Sequence, residues 1–183
     1  GFPVSDHKCL AEKKNECYVL WASTIRGIKQ PELFLELARS IPESRFVMLG
    51  GEELNNPSLY NNIKLKSNSI PNLNFVGFVP FHDIDRYFQQ ASVFINTSVY
   101  EGFPNTFIQA WMNYTPTVTL NADPDDLICK NSMGFHSKTF DQMVKDVALL
   151  IKDERLREEM GVNAREYVEK NHNIADIAGQ YID

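Results

Sequence analysis

The 183-residue sequence has no apolar run close to the ~20 residues that a helix needs to cross a bilayer. It also has no surplus of basic residues, because 18 Lys and Arg stand against 24 Asp and Glu, for a formal net charge of −6. Nucleic acids and anionic lipids attract proteins through positive charge. We therefore expect no nucleic-acid partner and no general affinity for anionic membranes.

Cysteine is scarce, and the three that occur (Cys9, Cys17 and Cys129) are scattered and odd in number, as is typical of a reducing compartment. Cys9 and Cys17 do not have the spacing of a zinc or redox pair. The two Asp-x-Asp triplets at 83–85 and 123–125 begin helical patterns, so we interpret their carboxylates as caps or solvated groups. No metal site is predicted.

The glycine-rich fingerprint of dinucleotide-binding folds is absent after the first predicted strand. Residues 22–27 read Ala-Ser-Thr-Ile-Arg-Gly and hold one glycine, whereas the fingerprint needs three. This absence counts against an NAD-dependent enzyme.

Short apolar runs alternate with helical patterns along the chain. Most runs are continuous rather than alternating, which is typical of strands covered on both faces. Regular strand–helix–strand succession predicts right-handed crossovers and an α/β fold, a Rossmann-like doubly wound parallel sheet with helices on both faces. Predicted strands occupy residues 17–23, 45–50, 73–79, 92–96 and 116–120, and predicted helices occupy 31–40, 57–67, 82–91, 104–114, 140–152, 154–170 and 174–181.

The window from Tyr100 to Gln109, Tyr-Glu-Gly-Phe-Pro-Asn-Thr-Phe-Ile-Gln, follows the apolar run at 92–96. A glycine-containing turn leads into a helix, which Pro104 can begin because its fixed φ suits the first helical position. Ligands of parallel sheets bind outside the carboxyl ends of the strands. This window therefore predicts a binding site.

A helix start offers unpaired amides, and its dipole favours an anion. Here the amides belong to Asn105, Thr106 and Phe107. Glu101 lies just before them, and Gln109 lies one turn inside the helix. The window therefore predicts a phosphate-binding helix start flanked by two hydroxyl-binding side chains.

This window resembles the signature of the GT-B-fold, family-four glycosyltransferases, a retaining group with many mannosyl-, glucosyl- and galactosyltransferases. That signature is a Glu, seven intervening residues and a second Glu, around Gly-Phe-Gly at a helix start. Glu101 matches the first Glu, but Gln109 stands at the second. The resemblance extends over roughly Tyr18 to Tyr181, with further matches at Leu20–Thr24, Lys29, Phe46–Gly51, Asn74–Val79 and Pro116–Val118.

The resemblance implies the C-terminal, nucleotide-sugar-binding half of a GT-B enzyme. Residues 1–16 are then the remnant of an interdomain linker, and residues 17–183 form the donor-binding domain. We expect the fragment to be inactive without an N-terminal acceptor-binding domain. The implied location is cytoplasmic, with peripheral contact at the inner face of the membrane only through that missing half.

The resemblance also implies roles for individual residues. Glu101 would bind hydroxyls of the donor sugar and stabilise positive charge at the anomeric carbon, unless it is merely a helix-terminus Glu. Lys29 would neutralise the diphosphate leaving group, unless it is an ordinary surface Lys. Gln109 would contact the ribose hydroxyls or simply be packed. Thr24 replaces an Arg of the family, and Arg26 is a candidate substitute.

The implied donor is a UDP- or GDP-hexose, with no cofactor and no metal required. A backbone segment around Gly77 and Phe78 would read the nucleobase edge. The predicted catalytic residue is Glu101, and the predicted donor-binding residues are Thr24, Arg26, Lys29, Gly77, Phe78, Gly102, Phe103, Pro104, Asn105, Thr106 and Gln109.

The predicted function is the donor-binding domain of a retaining hexosyltransferase that acts in polysaccharide biosynthesis. It would move a hexose from a nucleoside diphosphate sugar to a glycan or lipid-linked acceptor. Because Thr24 and Gln109 depart from the family pattern, a catalytically silent nucleotide-sugar-binding or scaffolding module is the alternative. A GT-B-fold epimerase is a second alternative, distinguished by acid–base residues in the missing half.

Overall fold

The computed structural model of the protein describes residues 17–54 and 56–171. Its centre is a six-stranded, wholly parallel sheet, as the succession of strands and helices predicts. The predicted linker at 1–16 and the predicted last helix at 174–181 lie outside the described residues.

The strands follow the order β3-β2-β1-β4-β5-β6 across the sheet. The first five agree with the predicted apolar runs to within two residues at either end. The sixth was not predicted, because it is a three-residue edge strand, Gly-Phe-His, with no apolar run. The strands are β1 Tyr18–Ala22, β2 Phe46–Leu49, β3 Leu73–Gly77, β4 Ala91–Asn96, β5 Thr117–Thr119 and β6 Gly134–His136.

The helices cover both faces of the sheet, and the predicted bounds of six of them differ from the structure by at most two residues. Short 3-10 helices occupy Gly27–Lys29 and Pro124–Asp126. The α-helices are α1 Pro31–Ser40, α2 Pro57–Ser67, α3 Phe81–Gln90, α4 Asn105–Met112, α5 Leu127–Lys130, α6 Phe140–Lys152 and α7 Glu154–Asn171.

The start of α4 differs from the prediction by one residue. Pro104 has an extended ψ of 133° and precedes the helix, which begins at Asn105. Asp123 precedes the 3-10 helix at Pro124, as predicted, but its side chain makes no cap bond there. Its carboxylate accepts instead from the amide of Ile128, in the first turn of α5, at 2.9 Å. Asp85 is a structural acceptor, with the Asn113 side-chain amide at 2.8 Å.

Successive residues of the central strands bury their side chains in opposite layers. On β1, Val19 and Trp21 pack with α1 and α6, while Leu20 packs with α4 and α7. Continuous apolar strands are the consequence, because both faces of a parallel sheet are covered. The two cores thereby fix the carboxyl ends of the strands and the starts of the loops that follow them.

The strand order reverses direction between β1 and β4. From β1 the chain proceeds outward to β2 and β3, and it then returns to place β4 on the other side of β1. The loops after β1 and β4 therefore diverge and leave a crevice at their carboxyl ends, where doubly wound sheets bind ligands.

Helix α7 contacts the turn after α4 at Gly161. A Cβ on Gly161 would lie 2.3 Å from the carbonyl oxygen of Tyr114, which is shorter than any real contact of this kind. The close approach of these two segments therefore requires glycine, since any side chain would force them apart.

We expect Gly161→Ala to lower the free energy of unfolding by about 1–3 kcal/mol, because overpacking outweighs the better helix propensity of Ala. Urea denaturation measures the change. Gly27→Ala is the matched control: nothing lies within 4 Å of a Cβ there, so its effect is expected to stay within about 0.5 kcal/mol. Equal stability of the Gly161 variant and the wild type would contradict this account of the contact.

Candidate functional site

Two adjoining cavities lie at the carboxyl ends of β1, β2 and β4. The Glu101 cavity has a volume of about 230 Å³, and its lining includes Lys29, Glu101 and Asn105. The Phe78 cavity has a volume of about 190 Å³, and its lining includes Phe78 and Gly51. Both are also lined by the residues Ala22, Ser23 and Thr106. They therefore form one groove across the switch point of the sheet.

The Glu101 side chain is held through one of its two oxygens. Its Oε1 atom accepts from Lys29 Nζ at 2.5 Å, from Ser98 Oγ at 2.6 Å and from Asn96 Nδ2 at 3.2 Å. Asn96 Oδ1 in turn accepts from the amide of Ser98 at 3.0 Å. The cation and the carboxylate that were predicted for separate roles are therefore direct neighbours.

The loop after β4 is fixed to the 3-10 turn that carries Lys29. The Thr97 hydroxyl donates to the carbonyl oxygen of Lys29 at 2.6 Å and accepts from Trp21 Nε1 at 2.9 Å. The amide of Val99 donates to the carbonyl of Ile28 at 2.9 Å. These bonds join two segments that are far apart in the sequence, and they place Lys29 beside Glu101.

The electrostatics of the pair favour the charged carboxylate. Burial raises the pKa of Glu101, but the hydrogen bonds from Lys29, Ser98 and Asn96 outweigh it, so the net pKa lies below the ordinary value of 4.5. The Glu101 side chain is 11% exposed and that of Lys29 is 20% exposed. The site therefore presents a carboxylate and an ammonium together at neutral pH.

The start of α4 supplies two amide donors rather than the predicted three. The amide of Phe107 donates to the carbonyl of Pro104 at 3.0 Å and is therefore used within the first turn. Asn105 and Thr106 both line the Glu101 cavity. Within the part of the chain that the structure describes, their amides have no protein acceptor.

The Phe78 cavity contains two of the other predicted residues. Thr24 lines it opposite Phe78, whose side chain is 73% exposed. A Cβ on Gly51 would lie 3.1 Å from the Phe78 ring, so the glycine lets the ring approach the end of β2 closely. Gly77 precedes this segment with a φ of +84°, a conformation that favours glycine.

Five predicted residues lie outside the lining of both cavities: Gly77, described above, and the four that follow. Arg26, the candidate substitute for the family's Arg at position 24, is exposed and lies 3.5 Å from a Glu53 carboxylate oxygen, outside the lining of both cavities. Gln109 is 5% exposed, on the buried face of α4. The other two are Gly102, which is exposed, and Phe103, whose ring packs edge-on against Trp111.

Asn96 and Ser98 were not predicted as site residues. Asn96 ends the buried apolar strand β4 and Ser98 follows two residues later, and polar side chains at the carboxyl end of a central strand indicate a site. This signal was available in the run Phe-Ile-Asn-Thr-Ser, although spacing alone does not show that both side chains reach Glu101. Within the described chain, no cluster of His, Cys, Asp and Glu has the arrangement of a metal site, and no helix is long and apolar enough to cross a membrane.

The family described as glycosyl transferases group 1 matches residues 5–167 of the chain. The chain is 26% identical over 189 residues to the UDP-Gal:alpha-D-GlcNAc-diphosphoundecaprenol alpha-1,3-galactosyltransferase of Escherichia coli, covering 96% of this chain and 48% of that protein. It is 31% identical over 117 residues to the alpha-monoglucosyldiacylglycerol synthase of Acholeplasma laidlawii, covering 62% and 28% respectively. The chain thus spans half or less of the length of these two relatives.

Solved structures share the fold. Sucrose-phosphate synthase from Thermosynechococcus elongatus superposes with a TM-score of 0.75 at 21% identity, over 98% of this chain and 47% of that one. Anabaena HepE in complex with UDP and glucose superposes with a TM-score of 0.73 at 15% identity, over 98% and 51%. The C-terminal domain of LpcC from Francisella tularensis gives 0.67 at 18% identity, over 91% and 92%.

We expect Glu101→Gln to lower the free energy of unfolding by about 1.5–3 kcal/mol at neutral pH, because it removes a charged hydrogen-bond acceptor. The folded-state pKa of Glu101 is below its ordinary value of 4.5. Its contribution to stability is therefore present above that pH and is lost as the pH falls through the lowered pKa. The difference in the free energy of unfolding between Glu101→Gln and the wild type should therefore shrink as the pH falls.

Urea denaturation at several pH values measures this difference. Glu36→Gln is the control, because the Glu36 pair with Arg39 is 55% and 40% exposed and is expected to contribute less than about 0.5 kcal/mol. A Glu101→Gln deficit that stays constant down to acid pH would show that the ionised carboxylate is not the stabilising form.

Proposed function

The chain belongs to the group 1 glycosyl transferases, and we propose that it forms the donor-binding domain of a retaining, family-four-like hexosyltransferase. In this proposal the parent protein moves a hexose from a nucleoside diphosphate sugar to a glycan or lipid-linked acceptor. The observation that supports it most directly is one cavity lined by an ammonium, a carboxylate and the start of a helix.

The diphosphate of the donor binds at the start of α4 in this proposal. Lys29 supplies a positive charge, and the amides of Asn105 and Thr106 supply two donors at the positive end of the helix dipole. Charge develops on the diphosphate as it leaves, so donors fixed in advance stabilise the transition state more than the ground state. With these groups in place the proposed reaction requires no metal ion.

Glu101 faces the transferred sugar in the same proposal. During transfer, the bond between the anomeric carbon and the diphosphate oxygen breaks with its electron pair leaving on the diphosphate. A bond to the acceptor oxygen forms, and the acceptor hydroxyl passes its proton to the departing diphosphate. The anomeric carbon becomes oxocarbenium-like, and the Glu101 carboxylate stabilises that positive charge.

The nucleobase occupies the Phe78 cavity. Its lining has no charged side chain and includes Gly50 and Gly51 at the end of β2. The Phe78 ring forms an exposed wall on which a base can stack. The E. coli relative is named for UDP-Gal and the HepE structure contains UDP, so uridine is the first base to test and guanosine the second.

Gln109 gives the ribose no charge-assisted hydrogen bond in this proposal, because its side chain is neutral and is buried on α4 outside the lining of both cavities. Thr24 and the displaced Arg26 supply no charge to the phosphate. These departures favour weaker donor binding, and they support the second candidate function, a catalytically silent module that binds nucleotide sugars or a partner enzyme. Assay of the full-length parent against a panel of donors separates the two.

The acceptor site belongs to the rest of the parent protein in this proposal. The chain corresponds to 48% of the length of the E. coli relative, which leaves room for a second domain of similar size. That half would bind the acceptor and make any contact with the inner face of the membrane. The present chain should therefore bind nucleotide without turning it over.

We expect Lys29→Ala to weaken binding of the nucleoside diphosphate by about 10- to 100-fold, because it removes a charge-assisted contact to phosphate. Affinity for the free nucleoside should change less than about 2-fold, since a nucleoside has no phosphate to lose. Calorimetry with UDP and GDP, and NMR titration with uridine and guanosine, provide the comparison.

Lys64→Ala is the matched control for that measurement, because Lys64 is an exposed Lys on α2, away from both cavities. Equal losses for nucleoside and diphosphate would contradict the phosphate role of Lys29. Absence of binding of UDP, GDP and their hexose derivatives to the folded wild-type chain would overturn the proposed function itself.

A further inference from the structure

The two oxygens of the Glu101 carboxylate differ in their surroundings. Oε1 accepts three hydrogen bonds, from Lys29, Ser98 and Asn96. No donor within residues 17–54 and 56–171 reaches Oε2. A carboxylate that lines a cavity and is held through one oxygen can present the other to a ligand hydroxyl.

We infer that Ser98 and Asn96 are positioning residues that fix Glu101 through Oε1, so that Oε2 accepts a hydroxyl of the donor hexose. This inference rests on the proposed function. It adds two residues, both acting through Glu101, that set the affinity for the sugar separately from the affinity for the nucleotide.

The two side chains are suited to positioning because they are rigid. Asn96 is 6% exposed and Ser98 is 2% exposed. Asn96 ends β4, and its carbonyl oxygen accepts from the amide of Leu120 at 2.9 Å, which ties it to the end of β5. The carbonyl of Ser98 accepts from Asn121 Nδ2 at 3.3 Å. Donors fixed to a strand end hold a carboxylate more accurately than donors on a loose loop.

Asn96 also orients Ser98 directly. Its Oδ1 atom accepts from the Ser98 amide at 3.0 Å, while its Nδ2 atom donates to Glu101 at 3.2 Å. One side chain thus fixes both the backbone that carries the Ser98 hydroxyl and the carboxylate that receives it. Loss of either residue should release Glu101 from part of this arrangement.

Lys29 alone does not fix the Glu101 carboxylate once a nucleotide sugar is bound. Its ammonium sits on a flexible four-carbon stem, and in the proposed function it also serves the diphosphate. When Lys29 turns toward phosphate, the two neutral donors still hold Oε1. The roles of the residues therefore differ. Lys29 binds the diphosphate of the nucleotide, while Ser98 and Asn96 position Glu101 for the hexose.

The experiment compares the affinity for a nucleoside diphosphate with the affinity for its hexose derivative. The ligands are UDP, UDP-galactose, UDP-glucose, GDP and GDP-mannose, measured by calorimetry on the 183-residue chain. We define the hexose gain as the ratio of the affinity for the hexose derivative to the affinity for the diphosphate. In Ser98→Ala and Asn96→Ala we expect this gain to fall by about 5- to 10-fold, while the affinity for the diphosphate changes less than about 2-fold. Ser98→Thr keeps the hydroxyl and should retain the gain.

Ser92→Ala is the matched control, because Ser92 is a buried serine at the other end of β4 whose hydroxyl donates to the carbonyl of Tyr18 at 2.9 Å. It should leave both affinities unchanged. If Asn96→Ala does not fold, Ser98→Ala decides the inference alone.

Three outcomes overturn the inference while the proposed function stands: an unchanged hexose gain in Ser98→Ala, parallel losses of diphosphate and hexose affinity, or a wild-type chain that binds diphosphate with no gain from any hexose. A wild-type chain that binds none of the ligands overturns the proposed function, and the inference with it.

Discussion

The parallel pairing of β1 with β4 is the constraint on which the rest of the site depends. Residues 72 positions apart, Lys29 and Glu101, meet because the loops that carry them leave adjacent strand ends on one edge of the sheet. The hydroxyl of Thr97, bonded to the carbonyl of Lys29, then fixes one loop to the other. Without that strand pairing, a lysine in one turn and a glutamate in another would be two unrelated surface charges.

The partial exposure of the ion pair matters as much as its short distance. Desolvation can cost a fully buried pair more free energy than the attraction between its charges regains, and a fully exposed pair contributes little. The Lys29 and Glu101 side chains are 20% and 11% exposed, which lies between these limits. The pair is therefore strong enough to order both side chains, and the ammonium remains accessible enough for an anion to compete for it.

Most of the fold could be predicted from the sequence, because buried strands and amphipathic helices carry strong periodic signals. The site was less predictable, since it depends on how loops are tied together. The first-turn bond from Phe107 to Pro104 removes a predicted donor, and no composition rule reveals it. Arg26 is only two residues from Thr24, yet its guanidinium turns to Glu53. Asn96 and Ser98 become recognisable only when the path of the loop to Glu101 is known.

The Gln at position 109 follows from the physical chemistry of a buried helix face. That side chain is 5% exposed, and the cation of the site, Lys29, is hydrogen-bonded to Glu101 instead. A carboxylate at such a position would be costly to ionise, because burial without a partner disfavours the charged form. A neutral amide avoids this cost, so Gln is compatible with the stability of the folded domain at this buried position.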